Sequence, residues 1–176
     1  MLYKSTKEYK EFHSIISDII DHPATQQMKK YRQHYECSCF DHCLSVSYYS
    51  YIICKKLHLD YTSMARAAML HDLFLYDWRI KQPNRKGLHA FTHPYTAYRR
   101  ASTQFNLNKK EKDIIIKHMW PVTIIPPRYP ESFIITLVDK YCALSESYNY
   151  YIEKIMNKKL YRYASLLLLL LFVHIP

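Results

Sequence analysis

The chain has 176 residues, of which 49% are apolar, and carries 25 Lys+Arg against 15 Asp+Glu, a formal net charge of +10. This length suits a single domain with a buried core, and the positive surplus favours anionic partners. The single glycine, Gly87, excludes the Walker loop, the dinucleotide-binding fingerprint and the Gly-x-Ser-x-Gly nucleophile elbow, which each need more than one glycine. If such a protein handles phosphate, it must do so with metal ions and cationic side chains.

The cysteines indicate the cellular compartment, and the distribution of charge indicates the kind of partner. Five cysteines form an odd set and the amino terminus has no signal-peptide pattern, which predicts a reduced, cytoplasmic protein. The basic residues are scattered in pairs, so no nucleic-acid-binding arm is expected and the predicted partner is a small phosphorylated anion. The leucine-rich segment 164–176 is too short to span a membrane and predicts a buried terminal segment or a homodimer contact.

The first half of the chain shows helical periodicity throughout. An apolar stripe from Phe12 to Ile20 predicts an N-terminal helix over about 5–21. Ser38 is the predicted N-cap of a second helix that ends near Leu57. A third, alanine-rich helix is predicted over 62–74, and the stretch 77–92 is predicted to be a loop.

The second half continues the helical pattern, so the predicted fold is all-α: one domain over 1–176 with its core at 38–146. Pro94 is the predicted first residue of a helix that ends near residue 105. Asn108 and Glu111 have capping-box spacing and start a helix that ends near His118. The prolines of 121–130 predict an extended connection. Helices are then predicted over 131–146 and over about 150–163.

Six nitrogen and oxygen donors recur along these predicted helices and form the candidate metal site. They are His42, His71, Asp72, His93, His118 and Asp139. Imidazoles and carboxylates hold Fe, Mn, Zn, Co or Ni. A single histidine on an apolar face is usually a structural residue. Six interior polar groups, however, need a common partner, because burying an unpaired polar group is costly.

The adjacent pair His71-Asp72 lies at the centre of the set. Neighbouring helical residues point about 100° apart, so two ions across a helix end can be contacted by both side chains. The two oxygens of Asp72 then bridge the ions, which makes Asp72 the predicted catalytic residue.

His89 and His93 have helical i, i+4 spacing, but the residue before a proline is pushed away from the α region. We therefore predict that His93 is a ligand at the helix entrance. His89 is predicted to lie in the preceding loop, as a residue that supports a ligand, a substrate contact or an alternative ligand.

The ordered set His…His-Asp…His…His…Asp resembles the HD-domain superfamily of metal-dependent phosphohydrolases, which are all-helical bundles. The segment 66–72 looks like the core signature of that family, and 93–97 looks like the start of its next helix. The resemblance covers about 38–146. It implies that His42, His71, Asp72 and Asp139 hold a first metal, and that His93 and His118 hold a second with Asp72 shared.

The resemblance implies a metal-dependent phosphohydrolase, a phosphatase or phosphodiesterase in which metal-bound hydroxide attacks a phosphate ester, such as a nucleotide. Its cofactor would be two divalent ions. The candidate substrate-binding residues are His89, Arg66, Lys117, Lys140 and Arg79. Two alternatives stay open at this stage: a di-iron oxygenase of the same fold, and a regulatory protein that binds metal or nucleotide without turnover.

Overall fold

A computed structural model of the chain describes residues 6–80 and 87–156, and this part is all-α, with eight helices and one two-stranded hairpin. The helices are α1 (Lys7–Ile15), α2 (Ser17–Ile20), α3 (Pro23–Gln27), α4 (Cys39–Lys56), α5 (Tyr61–Leu70), α6 (His89–Gln104), α7 (Lys109–Lys117) and α8 (Pro130–Met156). Strands β1 (Arg32–His34) and β2 (Cys37–Ser38) pair antiparallel, and a short 3₁₀ turn covers Met28–Lys30. The predicted tail 164–176 lies outside the described residues.

Helix α5 is the centre of the bundle. It packs mainly against α4 and α7, while α8 lies across α4 and α7 and α6 packs on α7. Ala65, Ala67 and Ala68 are fully buried on α5, beside larger apolar residues of the same helix. Small side chains let neighbouring backbones approach closely, which brings the ends of several helices together at one point.

The N-terminal stripe was predicted correctly, but the predicted single helix over 5–21 was wrong. Phe12, Ile16 and Ile19 are fully buried, yet the helix is interrupted at Ile16. Two serines flank the break: the hydroxyl of Ser14 donates to the Glu11 carbonyl, and that of Ser17 to the Ser14 carbonyl. Such bonds compete with the helical ladder.

Two other helix starts match the prediction closely. Ser38 caps α4 by accepting from the Asp41 N–H, and Asn108 and Glu111 form the complete capping box of α7. Helix α5 ends at Leu70, earlier than predicted, and residues 71–74 form a turn that ends in the positive φ (53°) of Leu75. The His71-Asp72 pair therefore lies on this turn.

The prediction for α6 was wrong at its start. The helix begins at His89, so that His89 is helical and Pro94 lies inside it, one turn in. A proline removes only one ladder bond near the start of a helix. In the first turns of α6, the hydroxyls of Thr92 and Thr96 donate hydrogen bonds to the main-chain carbonyls of Leu88 and Thr92 respectively.

The predicted break between helices at 131–146 and 150–163 was also wrong. Helix α8 runs without interruption from Pro130 to Met156. The stretch 131–156 holds no glycine and no proline, so no residue in it stops a helix. Residues 157–163 lie outside the described part. Within the described ranges, no helix combines the length and apolarity needed to cross a membrane.

Candidate metal centre

The six predicted ligands converge on one buried point at which five helices meet. His42 comes from α4, His71 and Asp72 from the turn after α5, His93 from α6, His118 from the end of α7, and Asp139 from α8. The four histidines and Asp72 are at most 4% exposed, and the Asp139 side chain is 14% exposed.

Asp72 divides the centre into two sides, which we name the carboxylate side (His42, His71, Asp139) and the imidazole side (His93, His118). On the carboxylate side, His71 Nε2 lies 3.4 Å from Asp72 Oδ2 and 3.7 Å from Asp139 Oδ1. His42 Nε2 lies 3.0 Å from the same Asp139 oxygen.

The imidazole side gathers around the other oxygen of Asp72. His93 Nε2 and His118 Nε2 lie 3.2 and 3.6 Å from Asp72 Oδ1, and 2.9 Å from each other. Two donors that bind one ion at about 2.0–2.2 Å, with an angle near 90–110°, are about 3.0–3.5 Å apart. Both sides have donor spacings close to this range.

The second nitrogen of every histidine faces an acceptor. Nδ1 of His71, His93 and His118 lies 2.7–2.8 Å from the carbonyls of Ala68, His89 and Ile115 respectively. A carbonyl can only accept, so Nδ1 carries the proton in each neutral ring and Nε2 keeps its lone pair. His42 Nδ1 lies 2.9 Å from Oε1 of Glu146, the carboxylate–histidine arrangement that orients metal ligands.

With these protons on Nδ1, the lone pairs of buried Nε2 atoms face other acceptor atoms. His93 Nε2 and His118 Nε2 confront each other at 2.9 Å, although both rings present Nδ1 to a carbonyl. His71 Nε2 and Asp72 Oδ1 are buried and have no hydrogen-bond partner. A cation between these atoms removes the repulsion and satisfies them, so the donor set fits a metal ion.

The electrostatics of the two sides differ. Burial opposes charge on His42, but its hydrogen bonds to the carboxylates of Asp139 and Glu146 outweigh burial and raise its pKa well above the usual value. Burial, together with the neighbouring His71 and His93, lowers the pKa of His118 to about 3. The imidazoles nearby hold the pKa of Asp72 far below its ordinary range despite its burial.

A cavity of about 230 Å³ opens onto the centre. Its walls are Gln33, His34, Asp72, Trp78, His89, Ala90, His93, His118, Met119, Asp139, Lys140 and Ala143. Cavities of this kind, with apolar walls and a few converging polar groups, are typical of small-molecule sites.

Two of the predicted substrate residues line this cavity. The His89 ring stacks between Trp78 at 5.5 Å and His93 at 4.4 Å, and its Nδ1 lies 3.1 Å from the Tyr76 hydroxyl. Lys140 donates to the carbonyls of Trp120 and Thr136, which leaves one N–H of its ammonium group.

The other three predicted substrate residues lie elsewhere. Arg66 pairs with Asp18 at 2.6 Å and with the buried Glu111 at 3.3 Å. Arg79 pairs with its neighbour Asp77. Lys117 lines a different cavity, described below. Nearness to the ligands in sequence did not bring these three side chains to the centre.

Three residues at the centre were missed by the sequence analysis. Gln33 Nε2 donates to Asp72 Oδ2, and the main-chain carbonyl of Gln33 accepts from the indole N–H of Trp78. His34 packs against His42, and Glu146 anchors His42. Glu146 lies seven residues, two helical turns, after Asp139, a spacing that could have indicated it. Gln33 and His34 arrive on the hairpin, for which no strand pattern was recognised.

Searches against family models, curated proteins and solved structures found no match for this chain.

Proposed function

We propose that this chain holds two divalent metal ions, one on each side of Asp72, and uses them to hydrolyse a phosphate ester. The observation that carries the proposal is the division of donors, with separate sets around the two oxygens of one buried carboxylate. The ordered ligand set resembles that of the HD-domain superfamily, and we propose a distant relationship to it.

The residues available for each ion follow from the distances. His42, His71 and Asp139 would hold the first ion together with Asp72 Oδ2, and His93 and His118 would hold the second with Asp72 Oδ1. When bound, divalent ions supply Lewis-acid stabilisation of phosphoryl oxygens and lower the pKa of water. Six side chains with one shared carboxylate do not fill the coordination of two octahedral ions, so positions for substrate remain.

The chain's own residues perform the remaining tasks. Gln33 and Glu146 fix the orientation of Asp72 and His42, because each bonds to the side chain that it supports. The free N–H of Lys140 is a donor for a phosphate oxygen, and the apolar Ala90, Met119 and Ala143 limit water in the cavity. The positive surplus of the whole chain attracts a phosphorylated substrate.

The substrate class follows from the size of the cavity. A space of about 230 Å³ suits a small phosphate ester better than a polymer held along its length. The stack of Trp78 and His89 forms one wall and offers an aromatic surface to the organic part of such an ester.

The test combines metal analysis with a substrate panel. The purified full chain should contain about two ions and should hydrolyse phosphomonoesters or phosphodiesters under anaerobic conditions. Dioxygen consumption by an iron-loaded protein without anaerobic hydrolysis would support a di-iron oxygenase instead. Metal and nucleotide binding without any turnover would support the regulatory alternative.

A further inference from the structure

A second cavity, of about 370 Å³, lies between α6, α7 and the segment before α8. Four cationic side chains line it: Lys109, Lys112, Lys117 and Arg128. Tyr95 and Tyr129 contribute aromatic walls. None of these residues belongs to the metal centre, and none lines the metal-site cavity.

The positive charges of this cavity are not neutralised within the described part of the chain. Neighbouring Lys110 is paired with Asp60 and Glu131, but none of the four lining cations has a carboxylate within ion-pair distance there. The ammonium group of Lys112 lies 5.1 Å from the Tyr98 ring, a contact that leaves its charge uncompensated.

The only carboxylate of the lining has a structural task. Oδ2 of Asp113 accepts from the main-chain N–H of Arg128 at 2.9 Å and from the Ser132 hydroxyl at 2.8 Å, and Asp113 is 8% exposed. These bonds hold the segment that carries Arg128 and Tyr129 against α7. The wall is thereby fixed while its cations stay available.

We propose that this cavity is a second ligand site, which binds a small molecule with at least two phosphate charges and an aromatic ring. Four cations against one carboxylate match a di- or triphosphate group, because like charges gathered in one concavity are stabilised by an anion. The two tyrosines supply surfaces for a ring. A nucleoside diphosphate has both parts.

A small molecule fits this site better than a nucleic-acid strand. The volume lies within the range of ordinary ligand pockets, and the four cations line one concavity. A strand-binding surface instead needs a groove that follows several nucleotides of backbone.

The site lies next to the metal centre but faces away from it. Lys117 lines this cavity, whereas the next residue, His118, lines the metal-site cavity. Consecutive residues at the end of α7 therefore serve two sites. Binding at the second site does not depend on hydrolysis at the first, so the two proposals can fail separately.

The test is lysine acetylation of the purified full chain, read by mass spectrometry, with ADP as the probe. ADP should protect Lys109, Lys112 and Lys117 and should leave the exposed Lys10 and Lys56 unprotected. In the double variant Lys109→Gln/Lys112→Gln, half-protection of Lys117 should need about tenfold more ADP, since charge-assisted hydrogen bonds are lost. The matched double variant Lys10→Gln/Lys56→Gln should leave the half-protection concentration unchanged.

Lys140 reports separately on the metal-site cavity, and the Lys109/Lys112 substitutions should not change its protection. Unchanged half-protection of Lys117 in the cavity variant would overturn the proposal. Equal protection by pyrophosphate would contradict the aromatic part of the ligand. Protection by an oligonucleotide but not by ADP would assign the surface to nucleic acid instead.

Discussion

The carboxylate side and the imidazole side of the centre share Asp72 but are built differently. The carboxylate side adds Asp139 to its two imidazoles, and Glu146 supports one of them. Among the residues that the structure describes, the imidazole side has no carboxylate except the shared one, and both of its rings are held by main-chain carbonyls. More negative charge at the first side means tighter binding of a divalent ion, so the two sides should differ in affinity.

The pKa shifts of the histidines also distinguish the carboxylate side from the imidazole side. Despite burial, which opposes charge, the carboxylates raise the pKa of His42 and His71, so protons compete more strongly with a metal ion on the carboxylate side. The pKa of His118 is lowered to about 3, so its nitrogen is available at neutral pH. Metal affinity on the carboxylate side should therefore fall more steeply on acidification, because protons compete with the metal there.

The largest effect is expected from Asp72, which both sides share. Asp72→Ala should reduce the metal content from about two ions to none and abolish hydrolysis, since each side loses a carboxylate oxygen. Elemental analysis with an activity assay measures both. Retention of two ions by Asp72→Ala would eliminate the bridging role.

Removal of one imidazole should separate the sides. His118→Ala should lower the metal-to-protein ratio from about two to about one, because only the imidazole side loses a ligand. Chelator titration should show that the remaining ion is the tighter of the wild-type pair. If the weaker ion stays, the predicted order of affinities is reversed.

A smaller effect is expected at Glu146, which supports His42 without being a proposed ligand. Glu146→Gln should weaken metal binding on the carboxylate side by about 10–100-fold, as losses of ligand-orienting partners do. Glu153, an exposed residue two turns further along the same helix, provides the matched control, and Glu153→Gln should leave both affinities unchanged. Equal effects of the two substitutions would point to general electrostatics.

Gln33 should have a still smaller effect that reaches both sides, because it bonds to the shared carboxylate. Gln33→Leu should weaken binding of each ion by about tenfold, whereas Gln27→Leu on the exposed face of α3 should not. Isothermal titration with the metal alone measures both. A loss confined to one side would show that Gln33 does not act through Asp72.

Much of the buried cluster of histidines and aspartates could be predicted because burial imposes a strong condition on polar residues. Asp139 lies between apolar neighbours on its helix, and His42 lies on an apolar stripe, so both needed an interior partner. Residues that orient these side chains from distant parts of the sequence could not be predicted in the same way. Gln33 reaches Asp72 across 39 residues through a three-residue strand, and such a short hairpin has almost no periodicity.

The predicted substrate-binding residues were harder to place from the sequence. Arg66 lies near the His71-Asp72 pair in sequence, yet its guanidinium joins α5 to Asp18 and to the buried Glu111. Helical geometry turns neighbouring residues to different faces, so sequence proximity alone was a poor guide.

The smallest effect on the centre is therefore expected from Arg66. Arg66→Met should leave the metal content unchanged but lower the free energy of unfolding by about 1–3 kcal/mol, because the buried Glu111 loses its cationic partner. Denaturant unfolding and elemental analysis check the two parts. Loss of metal without loss of stability would show that Arg66 contributes to the metal centre after all.

The most direct test of the central claim is anomalous diffraction from crystals of the metal-loaded protein. Two peaks are expected, one within about 2.0–2.2 Å of His42, His71 and Asp139, and the other at the same distance from His93 and His118. Each should contact a different oxygen of Asp72. A single peak, or two peaks of which one has no contact with Asp72, would contradict the account.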